Sequence, residues 1–218
     1  MSLNDELLSL DKKLKYYTLE TFKDVPIEPG IYAWFYPLRI IDDNLNQLVE
    51  EINFIFNFNH DSESEDTAKT ETEMGWRKYT VETKFTEISK NHSLFSSWNS
   101  FIEEYTSQQE YLDDCEKFND LKRIIFVSSI FLPPLYIGKT NNLNRRCREH
   151  VDGIGSDNVF HRRYNEYASK HLQVKCKYVG QLIFGCISTK VFDNLPENNE
   201  QLIEQILMNL IKPIFSIK

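Results

Sequence analysis

The sequence predicts an α+β fold, and three stretches carry this prediction. Residues 30–36 form a strongly apolar run of strand-forming residues. Residues 134–150 combine a short apolar run, a glycine and a basic segment with helical spacing. Residues 200–212 carry apolar side chains at helical spacing and end at Pro213, which cannot continue a helix.

Length and composition are typical of a globular chain. The 218 residues suit one domain with an insertion or two small domains. No run approaches the roughly 18 apolar residues of a membrane-spanning helix, and the acidic first residues lack the profile of a signal peptide. The four cysteines show no CxxC pair, which predicts reduced thiols. We therefore expect a cytoplasmic protein that does not enter a membrane.

Further elements are predicted around these three stretches. Residues 4–17 carry four leucines in a partial helical stripe and predict a short helix. Residues 60–73 are polar and acidic, which predicts a loop or a disordered segment. Residues 124–131 and 174–189 predict strands. Residues 158–170 predict a helix.

The predicted domain division separates residues 37–122 from the rest of the chain. These residues predict an acidic, mainly helical insertion subdomain, which interrupts a core formed by residues 1–36 and 123–218. Within the insertion, apolar residues recur at helical spacing in three places, and one segment has strand character. The helical stripes lie near 45–55, 95–105 and 111–118, and the strand lies near 78–85.

The net charge of −8 is unevenly distributed along the chain. Residues 37–122 contain 19 acidic and 8 basic residues, which gives −11. Residues 139–190 contain 10 basic and 4 acidic residues, which gives +6. Local charge sets the attraction to phosphate within a Debye length of about 8 Å. The basic segment is therefore compatible with nucleic-acid binding despite the acidic total.

Residues 134–150 predict a strand, a turn and a basic helix in direct succession. Gly138 allows the turn, and Asn141 or Asn142 can cap the helix. Arg146 and His150 are four residues apart and share one helix face, outside the apolar stripe of the same helix. A solvated basic helix would account for this stretch taken alone.

Two distant segments complete a recognisable pattern. Gly30-Ile31-Tyr32 lies upstream, and Tyr136-Ile137-Gly138 lies in the second stretch. Arg146 follows Tyr136 by ten residues, and Glu204 precedes Pro213 by nine. This ordered set resembles the GIY-YIG nuclease superfamily. The resemblance covers residues 25–36 and 134–218, about half of the chain.

The resemblance implies a small antiparallel sheet flanked by helices. Its strands would lie near 31–36, 135–138 and 182–188, and its helices near 142–151 and 200–212. In most relatives the second motif follows the first after about ten residues, whereas 103 residues separate Tyr32 from Tyr136 here. Closing a loop ten times longer costs only about 2 kcal/mol, so the two strands can still pair.

The resemblance also assigns roles to the two tyrosines. Tyr136 would act as the general base or position the attacking water. A free phenol has a pKa near 10 and is a poor base at neutral pH, so a cation such as Lys139 or a bound metal would have to assist it. Tyr32 would hydrogen-bond the phosphate or Tyr136. A core tyrosine that only packs its ring is the structural alternative for both.

The remaining candidates carry charge or bind metal. Arg146 would bind the scissile phosphate and stabilise its developing charge. His150 would shuttle a proton or contact the phosphate, or alternatively only face the helix dipole. Glu204 would bind one Mg²⁺ or Mn²⁺ ion. Glu200 is the fallback ligand. Its alternative role is structural, because the helix dipole stabilises an acidic side chain in the first turn of a helix.

The predicted function is a metal-dependent DNA endonuclease that hydrolyses phosphodiester bonds, of restriction or phage-defence type. Double-stranded DNA is the expected partner. Repair, recombination, mobile-element and RNA-cleaving roles remain open, as does a homodimer. The expected DNA-binding residues lie in the basic segment and are Arg148, Arg162, Arg163, Lys175 and Lys177.

The alternative is a catalytically weak or inactive nucleic-acid-binding protein on the same fold. Relatives commonly carry an asparagine three residues after the final proline, where this chain has Ser216. A hydroxyl is expected to support the site less well than an amide. The acidic insertion favours the same alternative, or would form a protein-docking surface or DNA mimic; a solvated acidic loop is the simpler interpretation.

Overall fold

The computed structural model describes residues 13–39, 67–74, 77–84, 112–155, 158–171, 174–191, 199–211, 213 and 215–216. Contacts divide the chain into two compact units, one of residues 1–39 with 119–218 and one of residues 40–118. Across the described residues, no helix is long and apolar enough to cross a bilayer.

The α-helices and β-strands of the described residues alternate along the chain. In order they are β1 Leu14–Tyr17, β2 Gly30–Phe35, β3 Thr67–Met74, β4 Arg77–Lys84, α1 Leu112–Ser128, β5 Tyr136–Thr140, α2 Leu143–Asp152, α3 Val159–Lys170, β6 Ile183–Ser188 and α4 Asn199–Ile211.

Four strands form an antiparallel sheet in the order β1, β6, β2, β5. The central strand β2 places Tyr32 opposite Gly138 of β5 and opposite Cys186 of β6. Strand β5 forms one edge of the sheet. The predicted α+β fold with a small antiparallel sheet is confirmed, and the three strands expected from the motif pattern are β2, β5 and β6.

Helices pack against both faces of this sheet. Helices α2 and α3 cover the face that carries Tyr32 and Trp34, because His150 contacts Tyr32 and Phe160 stacks on Trp34. Helix α4 packs against β5 and β2. Side chains alternate along a strand, so Lys139 lies on the other face of β5 from Tyr136. The core on the α2 side includes several side chains with at most 1% exposure: Trp34, Leu143, Cys147, Phe160, Tyr164 and Phe184.

The first described segment differs from its prediction. Residues 14–17, expected at the end of a helix, form strand β1, which pairs with residues 184–187 of β6. Residues 4–12 of the predicted helix lie outside the described residues. A short isolated helix gains little stability, whereas pairing with β6 satisfies the backbone of residues that include two strand-forming tyrosines.

Residues 124–131 are helical, and the strand predicted there is wrong. Helix α1 runs through Ser128, and residues 129–131 continue as a short 3₁₀ turn. The hydroxyl of Ser128 donates to the carbonyl oxygen of Ile124 at 2.7 Å, as expected for one helical turn. The apolar, β-branched run favours a strand by propensity, but this preference is weak and is overridden here.

Within residues 40–118, a two-stranded antiparallel sheet of β3 and β4 is described. Strand β4 confirms the strand character predicted near 78–85. Strand β3 overlaps the predicted polar loop 60–73, and there the prediction is wrong, because Thr67, Thr70 and Thr72 favour a strand once a partner is present. The stripes near 45–55 and 95–105 lie outside the described residues, so a mainly helical insertion stays a prediction.

Candidate active site

The pairing of β2 with β5 brings the two motif tyrosines together. Their rings stack with centroids 6.0 Å apart and planes inclined by 29°. Gly138 makes this approach possible: a Cβ atom at this position would lie 2.5 Å from the Tyr32 hydroxyl oxygen and 2.9 Å from the Tyr136 ring. The glycine of the second motif is therefore needed for space beside the tyrosines, rather than for the turn that was predicted.

Helix α2 begins three residues after the end of β5 and lies over this tyrosine pair. The side-chain oxygen of Asn142 accepts a hydrogen bond from the Arg145 amide at 2.9 Å, so Asn142 is the N-cap. Gly153 ends the helix in the left-handed conformation, with φ of 69°. Leu143 and Cys147 face the sheet with 0% exposure.

Arg146 and His150 both hydrogen-bond the hydroxyl group of Tyr32. The hydroxyl oxygen lies 2.9 Å from Nε2 of His150 and accepts a hydrogen bond from Nε–H of Arg146 at 3.2 Å. On its other side, Nδ1 of His150 lies 2.8 Å from the side-chain oxygen of Asn158. Tyr32 and His150 are 2% and 0% exposed, so this network is shielded from water.

Burial sets the protonation states of the network at neutral pH. Burial, followed by the neighbouring Tyr136, raises the pKa of Tyr32 well above 10, although Arg146 opposes this. Burial and the charge of Arg146 lower the pKa of His150 to about 3, against the effect of Asn158. Burial alone would lower the Arg146 pKa, but Tyr32 and Glu149 raise it above the usual value. Tyrosine and imidazole are thus neutral and the guanidinium is charged.

Arg146 is also paired with Glu149 of its own helix. Its Nη1 lies 3.0 Å from one carboxylate oxygen of Glu149, and Arg145 lies 2.6 Å from the other. The Arg146 side chain is 25% exposed, compared with 57% for Arg145. The guanidinium of Arg146 therefore reaches both the buried tyrosine and the surface, where an anion would compete with Glu149.

Lys139 and Glu204 form a separate pair on the α4 side of β5. Lys139 donates from Nζ to Gln201 at 3.3 Å. Burial raises the pKa of Glu204, while the charge and the backbone amide of Lys139 lower it. Between these described side chains, no contact joins Glu204 to the cluster of Tyr32, Arg146 and His150. Of the predicted catalytic set, Tyr32, Arg146 and His150 therefore form one hydrogen-bonded cluster, and Lys139 and Glu204 form a second group beside β5.

Acidic and histidine side chains are sparse around Glu204. Within the described residues, no group of three or more His, Cys, Asp or Glu side chains is close enough to hold a metal ion. Glu200 lies in the first turn of α4 and accepts a hydrogen bond from Thr189 at 2.7 Å, which lowers the pKa of Glu200. Glu200 is thus engaged by Thr189, and Glu204 remains the better-placed single oxygen ligand.

Ser216 supports the outer edge of β5. Its hydroxyl oxygen accepts from the Ile137 amide at 3.1 Å and lies 3.4 Å from the Ile137 carbonyl, to which it donates. The Phe215 amide donates to the carbonyl of Leu135 at 3.1 Å. Serine was expected to support the site less well than asparagine, and this prediction is wrong for strand β5. The Ser216 hydroxyl binds both the amide and the carbonyl of Ile137.

The five predicted DNA-binding residues fall into two groups. Arg148, Arg162 and Lys175 are exposed. Arg163 is half-buried and donates to the Phe215 carbonyl at 3.4 Å, and Lys177 is exposed but donates from Nζ to the carbonyls of Ala168 and His171 at the end of α3. Two of the five thus have intramolecular partners that also hold the fold together.

Two residues in the site were missed by sequence reasoning. Glu149 forms an ion pair with Arg146. The spacing of three residues along a helix could have predicted this pair. Asn158 contacts His150 across a helix boundary. It was identified only as the start of a helix, and no local pattern links it to a histidine eight residues earlier.

Comparison with known proteins gave no match to a family model, a curated protein or a solved structure. The geometry alone defines the site: a charged guanidinium, two tyrosines and a neutral imidazole beside the edge strand of a small antiparallel sheet. Such a set can bind an anion and accept a proton within one cluster.

Proposed function

We propose that this chain hydrolyses phosphodiester bonds in DNA as a metal-dependent endonuclease similar to the GIY-YIG nucleases, with restriction or phage defence as its role. The convergence of Tyr32, Tyr136, Arg146 and His150 carries the proposal. These residues come from three elements separated in sequence, and they converge at the positions that the motif spacing singles out.

The phosphate would bind at Arg146. This guanidinium keeps its charge at all relevant pH values, and its planar fork suits a phosphate oxygen pair. Glu149 would give up its contact with Arg146 when the more highly charged phosphate arrives. The surrounding segment 139–190 carries a net charge of +6, which favours a polyanionic partner.

The proton of the attacking water would leave through the tyrosines. Tyr32 is too deeply buried to meet the water, whereas Tyr136 is partly exposed and its ring stacks on that of Tyr32. Water would transfer a proton to Tyr136 as Tyr136 transfers its own to Tyr32 and Tyr32 transfers its own to Nε2 of His150. Both tyrosines end neutral, and the proton resides on the imidazole.

The resulting hydroxide oxygen forms a bond to phosphorus, and the bond from phosphorus to the leaving oxygen breaks. Arg146 stabilises the charge that develops on the phosphate oxygens. Because burial and Arg146 keep the pKa of His150 near 3, the imidazolium is transient and returns its proton through Tyr32 and Tyr136 to solvent. The leaving oxygen takes its proton from solvent, which completes the proton balance.

Glu204 would hold the Mg²⁺ or Mn²⁺ ion, because its half-buried carboxylate is an oxygen ligand of the kind these ions prefer. The ion would supply positive charge next to the phosphate. A single carboxylate with Lys139 beside it predicts weak metal binding, so activity should require free metal in solution.

The testing experiment is cleavage of supercoiled plasmid with Mg²⁺, with Mn²⁺ and with EDTA. Arg146→Ala should lower the rate by about 10² to 10³, the usual loss for one such donor. Arg145→Ala is the matched control, since Arg145 shares Glu149 but does not contact Tyr32. Glu204→Gln should abolish metal-dependent cutting. Cleavage by Arg146→Ala within about tenfold of wild type would overturn the proposal.

The second candidate function is nucleic-acid binding without catalysis. It is favoured by two observations: Glu149 forms an ion pair with Arg146, and Glu204 contacts Lys139 rather than the tyrosine cluster. In that case the wild-type chain would bind duplex DNA with a steep salt dependence but cut with neither metal. Plasmid cleavage above the EDTA control excludes this candidate.

A further inference from the structure

The amide group of Asn158 has one allowed orientation, because two backbone groups fix it. Its side-chain oxygen accepts from the backbone amide of His161 at 3.3 Å, and a backbone amide can only donate. Its side-chain nitrogen lies against the carbonyl oxygen of Glu149, which can only accept. Asn158 is 7% exposed, so water does not replace these partners.

This orientation determines which nitrogen of His150 carries the proton. Nδ1 of His150 faces the Asn158 oxygen at 2.8 Å, and an oxygen without a hydrogen requires a donor. Nδ1 is therefore protonated, and in the neutral imidazole Nε2 has only its lone pair. The Tyr32 hydroxyl, 2.9 Å from Nε2, must then be the donor in that contact.

The direction of the Tyr32 hydrogen follows from the same chain of contacts. The single hydroxyl hydrogen points at His150, so the oxygen of Tyr32 can only accept from its other neighbours. Nε–H of Arg146 donates to it at 3.2 Å, in agreement with this direction. Four side chains are thereby aligned from donor to acceptor: Arg146, Tyr32, His150 and Asn158.

We propose that Asn158 is a positioning residue, which fixes the Nδ1–H tautomer of His150 and thereby directs the Tyr32 proton toward the imidazole and away from the substrate. The catalytic part of this inference rests on the proposed nuclease function, whereas the tautomer does not. In that reaction Tyr32 serves only to accept and relay protons, and never donates to the leaving oxygen.

An amide suits this role better than a carboxylate would. The titratable groups next to His150 are Arg146 of its own helix, Tyr32 and Tyr136 of the sheet, and His161 of α3, whose Nδ1 lies 2.6 Å from the His150 carbonyl. An aspartate at position 158 would add a negative charge next to Nδ1 and favour the imidazolium. The neutral amide fixes the tautomer and leaves Nε2 free to accept.

Asn158 also caps α3, so the test must separate capping from positioning. Asn158→Ser keeps a capping oxygen for the His161 amide, but its shorter side chain no longer reaches Nδ1 of His150. Asn158→Asp keeps both the cap and an acceptor for Nδ1. A role in capping alone would leave the His150 tautomer unchanged in Asn158→Ser, and circular dichroism establishes that each variant folds.

The measurement is ¹⁵N NMR of the histidine side chains in the full-length chain between pH 4 and 8. The wild type should show His150 with Nδ1 protonated and Nε2 unprotonated throughout. Asn158→Ser should shift the population toward the Nε2–H tautomer, and Asn158→Asp should raise the pH at which His150 becomes doubly protonated. A wild-type Nε2–H tautomer, or an unchanged tautomer in Asn158→Ser, overturns the proposal.

Plasmid cleavage supplies the second readout. A wrong tautomer costs up to about 10⁴ in rate in other enzymes, and we expect Asn158→Ser to lower kcat at least tenfold with little change in KM. If the His150 tautomer changes in Asn158→Ser but kcat does not, the positioning role is overturned. If the wild-type chain does not cleave DNA, the proposed nuclease function is wrong. The tautomer assignment is then tested by NMR alone.

Discussion

Tyr32 and His150 lie 118 residues apart in the sequence and share a buried hydrogen bond of 2.9 Å. The bond joins the central strand of the sheet to the basic helix α2. Because Arg146 donates to the same tyrosine oxygen, Tyr32 connects the charged group of the site to its neutral imidazole. Loss of the Tyr32 hydroxyl should therefore affect both the chemistry and the fold.

Replacing Tyr32 with phenylalanine tests this link. Tyr32→Phe should lower cleavage about 10²-fold or more, because the proton path is interrupted. It should also lower the free energy of unfolding by about 1–3 kcal/mol, since Nε2 of buried His150 loses its partner. Plasmid cleavage and urea denaturation measure the two effects. Tyr178→Phe, at a tyrosine that is 45% exposed, is the control and should change neither.

The companion variant Tyr136→Phe separates the two tyrosines. Cleavage should fall as far as in Tyr32→Phe, because Tyr136 is the tyrosine that the water can reach. Stability should fall less, because Tyr136 is partly exposed. If Tyr32→Phe cuts at the wild-type rate while Tyr136→Phe is inactive, Tyr136 acts alone and the relay is wrong.

Stability should depend on pH through His150. The pKa of His150 is about 3 in the folded chain, against 6.5 when it is unperturbed. Between these values the unfolded chain binds the extra proton, so the free energy of unfolding is highest above pH 6.5 and decreases as pH falls toward 3. This group contributes a slope of at most about 1.4 kcal/mol per pH unit. Urea titrations from pH 4 to 8 measure it.

The matched variant for that experiment is His150→Gln. Glutamine offers an acceptor to Tyr32 but does not titrate, so the variant should show a smaller decrease of stability below pH 6.5 than the wild type. Equal slopes for the two proteins would mean that His150 is accessible to protons in the folded state, contrary to its complete burial.

Ser216→Ala tests the support of the edge strand. The change removes the contacts with the Ile137 amide and carbonyl and should lower the free energy of unfolding by about 1 kcal/mol. The Ile137 amide should lose its protection in hydrogen exchange. The control Ser169→Ala removes an exposed contact within α3 and should have an effect below about 0.5 kcal/mol. Retained protection at Ile137 would contradict the structural assignment.

Arg162 and Arg163 are neighbours in sequence with different expected roles. Arg162 is exposed, so Arg162→Ala should weaken DNA binding and reduce the slope of log affinity against log salt by about 1. Arg163 donates to the Phe215 carbonyl, so Arg163→Ala should mainly reduce stability. Fluorescence anisotropy at several salt concentrations measures binding. An unchanged slope in Arg162→Ala would place the DNA surface elsewhere.

The sequence by itself determined the local parts of the site. Gly30–Tyr32 and Tyr136–Gly138 lie in strands as predicted, and the four-residue spacing placed Arg146 and His150 on one face of α2. These features could be predicted because helical spacing, capping residues and strand propensity act over a few residues. The antiparallel sheet was predicted only through the resemblance to the GIY-YIG nucleases that this motif order carries. His150 was expected to lie outside the core and is instead completely buried, because it packs against Tyr32 and Phe160.

Only the tertiary structure decided which of these residues meet. The register between β2 and β5 set Tyr32 opposite Gly138, and the return of α3 brought Asn158 to His150. Pairing with β6 turned residues 14–17 into a strand, and residues 124–131 became helical despite their strand propensity. The contact of Glu204 with Lys139 was likewise decided by packing. Such outcomes depend on contacts between distant segments, and a periodic pattern within one segment does not encode them.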